Sequence, residues 1–238
     1  MMQLDAIWHH ARTDLVITNE HGDQDLFLWE HTVRVTRNAR RIATLPTVQA
    51  ASPDEAAIIA AALYHDAGWI TRLQEGEIER AEILCRPASE APCEQGAAML
   101  ERRLVKLLPA DSLARASEAI RTLNDREIDL IEGQVVREAD NLDGFGALSL
   151  WPTIRRGAVD GKGVQAVIDT WHAQKEYRFW KARLRDSFQF APIRALAEKR
   201  LKKFERFMEE LEQQHQGADL VCEKVLKPTH RKRKSARR

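Results

Sequence analysis

Apolar residues recur every three or four positions through most of this chain, and this periodicity restricts its fold more than any other feature. Runs of alternating apolar and polar residues long enough to build a sheet are absent from the sequence. The pattern therefore predicts an all-α protein. Helical segments are expected at 2–17, 26–45, 53–67, 94–108, 110–123, 129–150, 164–184 and 192–215.

Several residues with strong positional preferences predict where these helices begin and end. Asp25 is suited to cap the second helix. Ser52 is expected to cap the third helix, because Pro53 would occupy its first turn and Glu55 follows three residues after the cap. Gly68 is the expected stop of that helix. Residues 69–91 have weak periodicity and predict a long connection with at most one short helix.

The composition is that of a globular, water-exposed protein with no membrane span. No apolar run approaches the about 18 residues that a spanning helix needs. The N-terminus carries acids and histidines where a secretory signal needs basic and then apolar residues. We therefore expect a cytoplasmic protein. The three cysteines, Cys85, Cys93 and Cys222, form no closely spaced pair and are interpreted as reduced thiols.

The charge is distributed unevenly along the chain. Residues 227–238 contain seven Lys or Arg and no acid, so without them the net charge of +1 becomes −6 for residues 1–226. The tail lacks the apolar residues that offset ordering entropy, and we expect residues 217–238 to be a flexible, disordered basic tail. Such a tail either only aids solubility or makes loose contact with nucleic acid or another polyanion.

Histidine and aspartate occur on the predicted inward faces of three separate helices. His31 shares a stripe with Leu28, Val35, Ala39 and Ile42, and the pair His65-Asp66 ends a very apolar helix. Asp140 shares a face with Val136. Each residue alone has an ordinary structural explanation, such as a hydrogen-bonded core histidine or an aspartate paired with Arg137. Together they are explained by one shared cation, since burying an unpartnered carboxylate is costly.

The segments that carry these residues resemble the HD-domain superfamily, whose pattern is H…HD…D. The resemblance comprises EHTVRV around His31, ALYHDAG around His65-Asp66 and EADNLDGFGAL around Asp140, and it extends over residues 25–157. It implies an HD-type helical bundle with additional C-terminal helices. We therefore expect one domain over residues 1–216, with the metal-site core at about 25–157 and the C-terminal helices at about 163–216.

The resemblance implies a metal-dependent phosphohydrolase, in which His31, His65, Asp66 and Asp140 hold the metal. Asp66 is similar to the family's carboxylate that binds the metal and also touches the nucleophilic water. Two imidazoles and two carboxylates suit a divalent transition ion such as Mn, Fe, Co, Ni or Zn. Two-metal branches add histidines after the HD pair, and none lies between residues 66 and 171 here, so we expect one ion per chain.

The expected substrate is a small phosphorylated molecule, either a nucleotide or another phosphoester. Arg34 lies one turn beyond His31 and is either a phosphate-binding residue or an ordinary surface arginine. No residue stands out as the general acid. Trp151, Trp171 and Trp180 are interpreted as core residues in preference to base-stacking ones. Two alternatives to hydrolysis remain, an iron oxygenase, which would need two irons, and a non-catalytic module that binds a nucleotide or nucleic acid.

Overall fold

The computed structural model describes residues 2–85 and 90–221, and most of these residues are helical. The α-helices are α1 (Met2–Leu15), α2 (Phe27–Ala43), α3 (Pro46–Gln49), α4 (Glu55–Tyr64), α5 (Gly68–Gln74), α6 (Glu90–Leu104), α7 (Ala110–Arg121), α8 (Ile131–Asp143), α9 (Leu150–Val159), α10 (Val164–Glu176), α11 (Phe179–Asp186) and α12 (Ala191–Gln216). One-turn 3-10 helices lie at Arg80–Glu82, Ala147–Ser149 and Ala218–Val221. The predicted all-α class is confirmed.

Two very short strands join α1 to α2. Strand β1 (Ile17–Thr18) pairs antiparallel with β2 (Gln24–Asp25), so that Ile17 lies opposite Asp25. Two residues per strand are too few to produce a recognisable alternation, which is why the sequence pattern did not predict them. Among the described helices, none combines the length and apolar character needed to cross a membrane.

Helix α4 forms the centre of the core because its sequence is apolar on every side. Its residues from Ala57 to Tyr64 are all buried. The helix packs against α1, α2, α6, α7 and α8. The residues that follow its C-terminal end, His65 and Asp66, are therefore enclosed by neighbouring helices and are buried as well.

Helices α2 and α8 pack against each other and against α4. The five residues of the predicted stripe on α2 are all buried, namely Leu28, His31, Val35, Ala39 and Ile42. Helix α8 likewise buries Val135, Val136 and Ala139. Because both stripes face α4, the polar residues within or beside them are brought toward the C-terminal end of that helix.

The C-terminal helices pack through aromatic side chains onto the end of α8. The ring of Trp171 in α10 lies 4.9 Å from that of Phe204 in α12, and Trp180 in α11 lies 5.4 Å from Phe145. The interpretation of Trp171 and Trp180 as core residues is confirmed, since both are buried. A single domain over residues 1–216 requires such packing between the C-terminal helices and the rest of the chain. The boundaries of that domain stay a prediction.

Two predicted helix boundaries around α4 are wrong. Asp54, not Ser52, caps the helix, and its carboxylate accepts hydrogen bonds from Ala57 N at 3.0 Å and from the Ser112 hydroxyl at 2.6 Å. Ser112, which lies on α7, favours Asp54 as the capping residue because its hydroxyl binds the Asp54 carboxylate. Ser52 lies two residues earlier and has a left-handed backbone conformation, with φ of 50°. Gly68 begins α5 instead of ending α4. A Cβ at Gly68 would lie 2.0 Å from the carbonyl oxygen of Pro92, so glycine permits close packing there.

Four further predictions have mixed outcomes or fall partly outside the described residues. Asp25 accepts a hydrogen bond from Phe27 N at 3.1 Å, but Leu26 occupies the N-cap position. The single helix predicted over 164–184 is two helices, because Arg178 adopts φ of 54° and separates α10 from α11. The connection after Gly68 contains α5 and one 3-10 turn before residues 86–89, which are outside the described residues. The predicted disordered tail begins differently, since Ala218–Val221 forms a 3-10 helix, and from residue 222 onward it lies outside the described residues.

Candidate metal centre

Three helices bring the four predicted metal ligands together at the inner end of α4. His31 Nε2 lies 3.3 Å from His65 Nε2, 3.3 Å from Asp66 Oδ2 and 3.4 Å from Asp140 Oδ1. His65 Nε2 lies 3.3 Å from Asp66 Oδ2 and 3.8 Å from Asp140 Oδ1. The Asp66 side chain is 10% exposed whereas that of Asp140 is 44% exposed, so the cluster opens to solvent on the side of α8.

Hydrogen bonds on the far side of each imidazole determine which nitrogen faces the cluster. Nδ1 of His65 lies 2.9 Å from the carbonyl oxygen of Ala62, and Nδ1 of His31 lies 2.8 Å from Asp143 Oδ2. Both partners only accept, so each Nδ1 carries the hydrogen and donates it. In a neutral imidazole Nε2 then carries no hydrogen and has a free lone pair. If both imidazoles are neutral, two Nε2 lone pairs and two carboxylates converge with no hydrogen between them, and this form of the cluster is suited to bind a metal cation.

Five separations among the four groups are similar to those between ligands of a single transition metal ion. Two ligand atoms bound at about 2.1 Å to one ion lie about 3.0 Å apart at a right angle and about 3.4 Å apart at the tetrahedral angle. The five measured separations run from 3.3 to 3.8 Å. The ligand atoms of His31, His65 and Asp66 also all lie within 4.8 Å of one another. Asp140 lies close to both histidines but is not part of this mutually close group, so it would have to move further than the other three to bind the same ion.

The electrostatics of the cluster also call for positive charge at its centre. Burial lowers the pKa of both histidines, but the neighbouring aspartates outweigh burial and raise the pKa of His65 to about 10 and that of His31 well above its ordinary value. Burial raises the pKa of Asp66 and Asp140, yet the imidazoles hold both carboxyl groups well below their usual range. Either protons or a metal ion can supply the charge that balances these carboxylates.

Asp143 is the residue of this site that the sequence analysis missed. Its carboxylate is 5% exposed, accepts the Nδ1 hydrogen of His31, and accepts hydrogen bonds from Arg34 Nε at 2.9 Å and Arg34 Nη2 at 3.0 Å. Its pKa is lowered because the bonds from His31 and Arg34 outweigh burial. Two of the three Arg34 guanidinium nitrogens are therefore already engaged by an aspartate. A signal was present, since Asp143 follows Asp140 by three residues, as Arg34 follows His31.

The four clustered residues lie in the wall of a pocket of about 760 Å³. Four arginines, at positions 34, 126, 137 and 183, line it together with five aspartates at positions 66, 125, 140, 143 and 186. With His31 and His65 counted as neutral, as they are when they bind a metal, this lining is negative by one formal charge, and a bound divalent ion would make it positive by one. The pocket therefore becomes suited to an anionic ligand when the ion is bound.

Other polar residues near the site in sequence have different partners. Arg137, the possible salt-bridge partner of Asp140, donates to the carbonyl oxygen of Asp125 at 2.7 Å. Glu94 forms an ion pair with Arg121 at 2.8 Å and its side chain is 62% exposed. Arg72 pairs with Glu77 at 2.9 Å. None of Glu94, Arg72 and Glu77 lines the described part of the pocket.

Trp151 does not follow the interpretation of the tryptophans as core residues. Its side chain is 57% exposed and lines the pocket, in contrast to the buried Trp171 and Trp180. Helix α9 packs against α10 and against the Arg80–Glu82 and Ala147–Ser149 turns, and the Trp151 side chain nevertheless stays mostly exposed.

Comparisons with known proteins agree with this fold and this cluster. A family model for the HD domain matches residues 28–144, the segment that contains all four clustered residues. No curated protein sequence matches the chain. Among solved structures, Bacillus subtilis YpgQ in complex with ADP is similar, with 22% identity, a TM-score of 0.58, and coverage of 90% of this chain and 95% of that chain.

Two other solved structures have the same architecture. A predicted HD superfamily hydrolase from an uncultured Thermotogales bacterium is 20% identical, with a TM-score of 0.54 over 89% of this chain and 92% of that chain. Lin1889 from Listeria innocua is 18% identical, with a TM-score of 0.54 over 91% of this chain and 98% of that chain. At these identities the similarity shows the fold alone.

Proposed function

Residues 28–144 match the HD-domain family, and we propose that this chain is a metal-dependent phosphohydrolase of that superfamily that acts on a nucleotide or another small phosphoester. The observation that carries the proposal is the convergence of two histidine Nε2 atoms and two carboxylates in the wall of an arginine-lined pocket. The solved structure of a neighbour that contains ADP supports a nucleotide as one class of ligand.

We propose that His31, His65, Asp66 and Asp140 hold one divalent transition ion per chain, of the Mn, Fe, Co, Ni or Zn type. A bound ion lowers the pKa of a water molecule and offsets negative charge on a phosphoryl group. The support for a single ion is that the nitrogen ligands come from only two histidines, which share one centre 3.3 Å apart. Metal analysis of the purified protein tests this number, and two irons per chain would favour the oxygenase alternative.

Within this proposal the residues of the chain have distinct tasks. Asp66 accepts a proton or hydrogen bond at the centre, since it is the buried carboxylate beside both imidazoles. Asp143 holds the His31 ring with Nε2 toward the centre. Arg34 stays a candidate phosphate-binding residue because its guanidinium lines the pocket, although its remaining nitrogen, Nη1, is the one available for that contact after Nε and Nη2 donate to Asp143.

The test is hydrolysis of a panel of phosphoesters by the purified chain supplied with Mn²⁺, Co²⁺ or Ni²⁺. We expect activity on at least one member of the panel and its loss in Asp66→Ala, because that variant removes a ligand and the buried acceptor at the centre. Glu94→Ala is the matched control, since Glu94 is an exposed acid that pairs with Arg121 and does not line the pocket. A chain with bound metal and no activity on any member would contradict the proposal.

A further inference from the structure

Trp151 is placed differently from every other tryptophan of the chain. All six tryptophans fall within the described residues, and Trp151 is the one that is exposed, at 57%. Tryptophan buries a large apolar area when it can, so leaving this ring open to solvent forgoes stabilisation. The ring lines the same pocket as the four clustered metal ligands. Its exposure is therefore directed at the site and not at an unrelated surface.

The helix that carries Trp151 is held firmly in place. Arg155, one helical turn further along α9, donates to Asp25 Oδ1 at 2.9 Å and Oδ2 at 2.6 Å, and to the carbonyl oxygen of Arg80 at 2.7 Å. Both side chains of the Arg155–Asp25 pair are largely buried, at 19% and 12% exposure. The bidentate geometry restricts rotation of α9. The Trp151 ring is thus presented from a fixed backbone, as a stacking surface must be.

The same pocket contains an arginine, Arg183, that interacts electrostatically with Asp140 but forms no ion pair at contact distance with any described residue. Among the described residues, no carboxylate oxygen lies within 4.0 Å of the Arg183 guanidinium, which instead contacts the carbonyl oxygen of Gly144 at 3.4 Å and the ring of Phe145 at 5.3 Å. Gly144 closes α8 one turn after Asp140, and a Cβ there would lie 2.5 Å from Arg183 Nη2. The glycine therefore leaves room for the guanidinium beside the metal ligands.

We propose that the pocket binds a nucleotide with its base stacked on Trp151 and a phosphate contacted by Arg183. This inference rests on the proposed function and makes it specific, since it assigns an aromatic platform and a phosphate-binding cation to two residues outside the metal cluster. An aromatic ring stacks on tryptophan regardless of its hydrogen-bonding pattern. The site thus selects nucleotides over aliphatic phosphoesters, without choosing strongly among the bases.

The experiment compares two ligands that share a bridged diphosphate group but differ in the ring. The ligands are the α,β-methylene analogue of ADP and methylenediphosphonate, and their Kd values are measured by calorimetry on the full chain at a fixed Mn²⁺ concentration. We expect Trp151→Ala to raise the Kd of the ADP analogue by about 5- to 100-fold, the range for losing one base–aromatic stack. The Kd of methylenediphosphonate should not change, and Trp151→Phe should restore most of the affinity for the ADP analogue.

Two further variants separate the alternatives. Arg183→Gln should weaken both ligands, whereas Tyr177→Ala, which removes an exposed aromatic ring outside the pocket lining, should weaken neither. No binding of the ADP analogue, or equal effects of Trp151→Ala on both ligands, would overturn the inference. So would a change in molecular mass of Trp151→Ala by sedimentation, which would assign the ring to self-association. Ring-dependent binding without hydrolysis of any phosphoester would leave the inference standing and reject the proposed function.

Discussion

Replacing Asp143 with asparagine tests whether the His31 ring must be held by a carboxylate for the site to bind metal. The change keeps the size of the side chain and removes one negative charge from a group that is 5% exposed. The amide oxygen can still accept a hydrogen bond from His31 Nδ1 or from Arg34. Asp143 uses two carboxylate oxygens to accept from both His31 and Arg34, whereas asparagine has a single amide oxygen. Its NH₂ group would therefore face one of these two donors and could not accept from it.

The size of the effect follows from the two contacts that are lost. Removing a partner that orients a metal-binding histidine typically weakens metal affinity by about 10- to 100-fold, or about 1.4–2.7 kcal/mol. Here Arg34 also loses its carboxylate and leaves an unbalanced positive charge near the ion. We therefore expect the upper part of that range, an increase of about 30- to 100-fold in the Kd for Mn²⁺.

The assay is calorimetric titration of Mn²⁺ and Co²⁺ into the metal-free protein, with circular dichroism to verify that the variant is folded. Asp125→Asn is the matched control, because Asp125 is an exposed aspartate that lines the same pocket without bonding a ligand histidine. It changes the charge of the pocket by the same amount. A Kd for Asp143→Asn within threefold of the parent, or equal increases in both variants, would refute the orienting role of Asp143.

Two other predictions concern the packing around α4, and urea unfolding measures both. Asp54→Ala should lower the free energy of unfolding by about 1–2 kcal/mol at neutral pH, whereas Ser52→Ala should have little effect, because Asp54 is the capping residue. Burial raises the pKa of Asp54, but its hydrogen bonds with Ser112 and Ala57 outweigh burial and lower it, so this contribution is present above about pH 4 and is lost as the pH falls further. Gly68→Ala should destabilise the fold by about 2–3 kcal/mol, because the added methyl group meets the backbone of Pro92. Gly157→Ala should stabilise it by about 0.5–1 kcal/mol, because space exists beside α9 and alanine favours the helix. Equal effects within either pair would contradict the corresponding interpretation.

The helices could be predicted because their signals are local. Apolar spacing located α2, α7 and α12 to within a few residues, and it also indicated that His31 and Asp140 lie on faces that turn inward. The boundaries near α4 could not be predicted in the same way. Asp54 is selected as the cap by Ser112 from α7, and Gly68 is required by Pro92 from α6, so each depends on a contact that appears only after packing.

The clustering of His31, His65, Asp66 and Asp140 was easier to predict than the residue that supports it, Asp143. A ligand must be His or Asp on an inward face, and few residues satisfy that condition. Asp143 satisfies it as well, but its task depends on the pairing of α2 with α8, where His31 and Arg34 are matched to the same aspartate across more than 100 residues of sequence. A spacing of three residues indicates that two side chains lie on the same face of their helix. The spacing does not indicate which residue of a neighbouring helix those side chains will contact.

Trp151 shows why the open side of the pocket was the hardest part to predict. Its neighbours in the segment LWPTIRRGAV are compatible with a helix that buries the tryptophan, and tryptophan in an amphipathic helix is more often buried than exposed. The orientation of α9 depends instead on tertiary contacts, among them the bond from Arg155 to an aspartate 130 positions earlier in the chain. The exposed face of α9 is consequently a product of tertiary contacts. A residue placed at a binding site by such a distant contact leaves no local pattern, so its function has to be inferred from the assembled pocket.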